Sequence, residues 1–129
     1  MNRLRRQIKQ RMYDLNGNAS GKISARFIFP EEFIGFQGHF PGRPVLPGVC
    51  QIQAVMVILE AWNNRSVRLQ EIVQAKFFNR VSGGDELFFE CQQRRGPRAE
   101  LLVKASVTGG EIKIAEFQLI AGFGDERQY

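Results

Sequence analysis

One histidine, one tryptophan and two cysteines in 129 residues leave few side chains for demanding chemistry. Cys50 and Cys91 have no metal-ligand spacing and no histidine beyond His39 to join them, so neither a zinc site nor a disulfide framework is expected. No metal or other cofactor is implied. No apolar run approaches the ~20 residues that cross a membrane, and the N-terminus lacks the apolar centre of a signal peptide, so a cytoplasmic protein without a membrane span is expected. Internal repeats, linkers and low-complexity segments are missing as well. The length suits one domain with a single core, covering residues 1–129, with 1–21 a basic N-terminal extension and first hairpin strand, and 123–129 a loose tail.

Acidic residues are missing from the opening segment too. Arg3, Arg5, Arg6, Lys9 and Arg11 all precede Asp14 and carry much of the +5 formal charge. Such a stretch suits an acidic partner, or simply a solvated surface. Nucleic acid is not expected, because the aromatic residues do not alternate with the basic ones and no nucleic-acid-binding motif is present.

What the chain has in quantity is phenylalanine, eleven of them, and strand-like alternation broken by glycine turns. Leu4, Ile8 and Met12 fit one face of a helix and equally one face of a strand. The turn from Asn16 to Gly21, followed by Ile23, Ala25, Phe27 and Phe29 on one side, favours a hairpin. Phe33, Ile34 and Phe36 come next as pocket wall or core, with core expected for two of the three. Val49, Ile52, Val55, Met56 and Leu59 then recur at helical spacing, with Val57, Ile58 and Trp62 widening the apolar face, so a nearly all-buried helix is expected. Asn63 to Ser66 closes it. Strands are predicted at 67–78, 86–94, 99–108 and 111–122, and the short glycine turns between them predict antiparallel pairing of neighbours. One long apolar helix wrapped by a curved antiparallel sheet is an α+β arrangement.

The stretch from Phe36 to Leu59 holds His39 and three of the five prolines. Pro41-Gly42, Arg43-Pro44 and Pro47-Gly48 make a stiff loop. It feeds a helix whose first N–H groups and positive dipole end stand beside His39, so a base meets a cradle for a carbonyl oxygen acquiring negative charge. Cys50, in the same first turn, is either a thiol activated by the helix end or a buried filler, and the filler is favoured.

The run Gly38-His39-Phe40-Pro41-Gly42-Arg43-Pro44-Val45-Leu46-Pro47-Gly48-Val49 closely resembles the signature of the hot-dog-fold 3-hydroxyacyl-[acyl-carrier-protein] dehydratases of type II fatty acid synthesis. Ala75 to Asp85 resembles the family's later strand and turn, and Val103 to Gly122 its closing hairpin. The resemblance implies a hot-dog fold and an acyl thioester of acyl carrier protein or coenzyme A as substrate. It implies His39 as the base that takes the C2 proton and the amides of Gly48 and Val49 as the groups that polarise the thioester carbonyl. Phe40, Pro47, Phe77 and Phe78 would line or gate the acyl pocket, with Phe77 or Phe78 also in the core. Arg43, with Arg3, Arg5 and Arg6, would dock the carrier. A homodimer or higher oligomer is implied, or a heterodimer with a homologue, in which His39 of one subunit faces position 53 of the other.

Position 53 is where the resemblance breaks. The family places its acid there, fourteen residues beyond the histidine, and this chain has Gln53. The amide keeps the shape of a carboxyl but cannot deliver a proton. Glu60 shares the helix face but lies about 10 Å further along, too far for an easy replacement; Asp85, Glu31 and Glu32 could serve only if the fold brings them in. Three readings follow. The first is a dehydratase in which Gln53 positions the hydroxyl or a water. The second is a thioesterase in which Gln53 and His39 orient a water. The third is a non-catalytic acyl-binding protein, or a heterodimer subunit whose acid belongs to its partner.

Overall fold

Sixteen residues from Gly48 to Asn63 form the helix, α2, on which the rest of the chain is packed. A computed structural model of the chain describes residues 3–36 and 45–124. Before α2 come α1 (Arg3–Lys9), β1 (Met12–Gly17) and β2 (Lys22–Ile28), and after it β3 (Val67–Phe77), β4 (Glu86–Arg95), β5 (Leu101–Gly109) and β6 (Ile112–Phe123). Pro47 sets the entry of α2 with extended backbone angles, and Asn64 ends it in the left-handed region at φ 55°, a conformation asparagine tolerates. Ile52, Ala54, Val55, Met56, Val57, Ile58 and Leu59 are buried in succession, so α2 is apolar nearly all round, as a core helix must be. Its two ends differ from expectation. Val49 is 60% exposed and Trp62 37% exposed, the indole lying over Gly17 of β1.

The six strands make one antiparallel sheet in the order β1-β2-β4-β5-β6-β3. Ile23, Ala25 and Phe27 of β2, Leu87, Phe89 and Cys91 of β4, and Leu101, Val103, Ala105 and Val107 of β5 alternate into the core, the period of two that a half-buried strand requires. Each large aliphatic or aromatic side chain so buried contributes roughly 1.5–3 kcal/mol relative to exposure. Phe27, Phe29, Phe33 and Phe89 form a chain of ring contacts with centroids 4.7 to 5.5 Å apart. Phe33 and Phe36 are core while Ile34 is half-buried, so two of the three residues before the loop are buried as expected.

One neighbour pairing departs from the sequence reading. β3 and β4 do not pair, although a glycine turn lies between them, because β3 crosses to the far edge beside β6. Residues 78–85 run as a connection instead, tied down where Val81 O accepts from Leu46 N at 3.0 Å and Phe29 O accepts from Gly84 N at 2.8 Å. The opening segment, whose spacing fits helix and strand equally, is helix over Arg3–Lys9 and then the first strand of the β1–β2 hairpin. At the other end β6 runs through Phe123, which pairs with Val67 and carries the Arg65 guanidinium 3.8 Å above its ring. Ordered strand therefore enters the stretch read as tail.

Candidate functional site

Among the described residues, no side chain caps the first turn of α2. Pro47 has no side chain able to cap, the amides of Cys50 and Gln51 return to Pro47 O at 3.0 and 3.3 Å, and among the described residues nothing accepts from the amides of Gly48 and Val49. These are the orphan donors of a helix N-terminus, aligned with the positive end of its dipole. The Phe77 ring lies directly over Gly48, where a Cβ would strike it. A glycine is thus needed at this position for the aromatic ring to cover the start of the helix.

Phe77 and Phe78 are both about half exposed. Phe77 packs edge-on against Phe117 with centroids 5.5 Å apart, and the Lys113 ammonium stands 5.0 Å from the Phe78 ring. The expectation that one of the two is core does not hold within this chain, because Phe77 ends the edge strand β3, which is exposed from Glu71 onward, and Phe78 follows it.

Cys50 is buried, and burial raises its thiol above the ordinary value. Burial and a raised thiol both favour the filler reading over the nucleophile,. Gln51 was missed by the sequence reading. It is 97% buried, and among the described residues its Oε1 has no hydrogen-bond partner.

Gln53 is joined to the opposite end of the chain. Arg5 on α1 donates from Nε to Gln53 Oε1 at 2.6 Å, and from its terminal nitrogen to Glu60 Oε2 at 2.9 Å and to Val67 O at 2.6 Å. Glu60 Oε2 also accepts from Val67 N at 2.9 Å. The Arg5 and Glu60 side chains keep only 13% and 12% of their exposure, so this is a largely desolvated ion pair with the amide of Gln53 built into it. Gln53 and Glu60, seven positions apart, share a helix face, and one guanidinium reaches both. The cluster had a signal in the sequence: a glutamate inside an otherwise apolar helix calls for a cation. Which cation, the sequence left open. Of the basic residues proposed to dock a carrier, Arg3 and Arg6 are exposed on α1, while Arg5 is turned inward.

His39, Phe40 and Arg43 lie outside the described residues. Asp85 bonds back to Ser82 N at 2.9 Å in the connection before β4. Among the described residues, no three of His, Cys, Asp and Glu stand close enough to hold a metal ion, and no helix is long and apolar enough to cross a membrane.

Comparison with known proteins places the arrangement. Residues 16–111 match the model of the ApeI-like family, described as ApeI dehydratase. A curated 3-hydroxyacyl-[acyl-carrier-protein] dehydratase FabZ from Levilactobacillus brevis is 32% identical over 126 residues, covering 91% of this chain and 84% of that protein. The enzyme of the same name from Pediococcus pentosaceus is 35% identical over 106 residues, covering 75% and 70%. Among solved structures, a chain of the dehydratase heterocomplex ApeI:P from Xenorhabdus doucetiae superposes with a TM-score of 0.70 at 19% identity, covering 86% of this chain and 96% of that one. An uncharacterized protein from Pyrococcus horikoshii superposes with a TM-score of 0.68 at 13% identity, covering 88% and 84%. A helix wrapped by one antiparallel sheet, matched over most of its length to these relatives, is the hot-dog fold, and the chain belongs to the ApeI-like, FabZ-like family of hot-dog dehydratases.

Proposed function

We propose that the chain acts as a dehydratase-like protein on 3-hydroxyacyl thioesters of acyl carrier protein or coenzyme A. The observation that carries this reading is the uncapped start of α2, where the Gly48 and Val49 amides offer two donors to a thioester oxygen gaining negative charge. Phe77, over Gly48, and Phe78 supply an apolar wall for the acyl chain, with Pro47 and Phe40. His39 takes the C2 proton as the C2–C3 double bond forms and the C3 hydroxyl departs. That hydroxyl needs a proton to leave as water, and a glutamine amide has none to give. The imidazolium formed at His39 returns it, while Gln53 holds the hydroxyl by a hydrogen bond. Arg3, Arg6 and Arg43 face the acidic carrier.

The site is composite. β3 is an edge strand of eleven residues with Ile72, Val73 and Phe77 about half exposed, and apolar side chains on both faces of an open edge invite a second strand. Antiparallel pairing with a second copy about the middle of β3 would set the Val67 end, where Arg5 and Gln53 meet, beside the partner's Phe77 end. His39 of one subunit would then serve Gln53 of the other.

The test is turnover of 3-hydroxyacyl and trans-2-enoyl thioesters by the natural protein and by His39→Ala. Loss of general-base catalysis should cost ~10²–10⁴-fold. Equal turnover in the two, or none in the natural protein, would defeat the reading. The amide at position 53 favours one second reading, in which this chain is a subunit of a heterocomplex, as its structural neighbour ApeI is, and the acid comes from the partner. Turnover that appears only on adding a homologous subunit would select it.

A further inference from the structure

The tie between Arg5 and Gln53 bears on what position 53 can do. Arginine is a donor with no acceptor capacity, so the Gln53 atom that faces its Nε at 2.6 Å must be the amide oxygen,. The orientation of the amide is therefore fixed by chemistry. With Oε1 held against the guanidinium, the N–H₂ group on the other side of the amide is the donor that Gln53 can turn toward a ligand. The fixed charge of the guanidinium has a second effect: any carboxyl placed here would be held in its ionised form, because an adjacent cation favours the anion. Glu60, the other charged group of the cluster among the described residues, is already paired with the same guanidinium and with Val67 N, and arginine does not release a proton to relay between them.

We propose that Arg5 is a positioning residue for Gln53: it orients the amide so that position 53 works as a hydrogen-bond donor, and it disfavours a proton-delivering acid there. The proposal rests on the dehydratase reading for the identity of the ligand, an acyl thioester with an oxygen to accept the bond. It does not rest on that reading for the electrostatics. Arg5 lies before residue 16, where the match to the family model begins.

The experiment is an NMR titration of the carboxyl introduced by Gln53→Glu, in two backgrounds. One keeps Arg5; the other carries Arg5→Met with Glu60→Gln, which removes both members of the ion pair so that no buried charge is left alone. With Arg5 present, the carboxyl should titrate about one to three pH units lower than in the second background, as for a carboxylate beside an arginine. The same pKa in both would overturn the proposal. Should the combined variant fail to fold, Arg5→Gln with Glu60→Gln in the Gln53→Glu protein gives the same comparison, with an amide in place of the guanidinium and no buried charge left alone. Thioester turnover, measured alongside, belongs to the dehydratase reading, so an inactive protein with the expected titration would reject that reading and leave the role of Arg5 standing.

Discussion

Nε of Arg5 stands 2.6 Å from Oε1 of Gln53, across 48 positions of sequence, and the same guanidinium holds Glu60 at 2.9 Å. A short N-terminal helix is thereby fastened to the middle of the core helix. Arg5→Met leaves the Glu60 carboxylate without its cation, and Glu60 Oε1 already lacks a partner. The expected loss is about 3 kcal/mol, the low end for breaking a buried pair, since both side chains keep some solvent contact. Adding Glu60→Gln should recover at least about 1 kcal/mol, because the orphan charge goes and an amide oxygen remains for Val67 N. Urea unfolding of the single and paired variants measures both.

Much of this fold was legible because core helices and half-buried strands print their periods on the sequence. The run from Ile52 to Leu59 admits no amphipathic reading, and the glycine turns before β4, β5 and β6 bound strands that the structure places within two residues of expectation. What escaped was non-local. Nothing near Phe78 to Asp85 says that β3 leaves its sequence neighbour for the edge beside β6. Phe77 or Phe78 read as core because a surface suited to another strand carries the same side chains as an interior. Arg5 read as one more basic residue of a carrier-docking or solvated run, since its role depends on a glutamate and a glutamine far along the chain.

The edge of β3 carries the second prediction. Val73→Lys should lower the solution mass to that of one chain at micromolar concentration, as measured by sedimentation equilibrium, while the natural protein sediments as a dimer or larger. Val73 is half exposed within one chain, so the folding stability of the separated subunit should move by no more than about 0.5 kcal/mol. A natural protein that is monomeric would remove the composite site.

Gly48→Ala separates packing from function at the start of α2. Alanine is the better helix former by up to about 1 kcal/mol, so stability should hold or rise. The added Cβ meets the Phe77 ring and must push it off the helix start. A several-fold fall in thioester turnover with unchanged thermal stability would place Phe77 at the site. Unchanged turnover would remove it.

Cys91 sets an alkaline limit on stability. Burial, and then the neighbouring Glu90 charge, push its thiol up to about 12, whereas in the unfolded chain it ionises near ~8.5. Between those values the folded protein holds a proton that the unfolded chain has released. The contribution is therefore fully present below about pH 8.5 and is lost as pH rises toward 12, by up to about 1.4 kcal/mol per pH unit. Urea midpoints at about pH 8 and about pH 10.5 should differ less in Cys91→Ala than in the natural protein. An identical difference would show that other groups cause the alkaline loss.

The most direct measurement is dehydration of 3-hydroxyacyl thioesters by the natural protein, by Gln53→Glu, and by Gln53→Glu combined with Arg5→Met and Glu60→Gln. The account predicts turnover in the natural protein that His39→Ala abolishes, no gain from the carboxyl while Arg5 holds it ionised, and a gain of at least about tenfold once the ion pair is gone and the carboxyl can carry a proton. A Gln53→Glu protein that gains as much with Arg5 in place as without it would contradict the account.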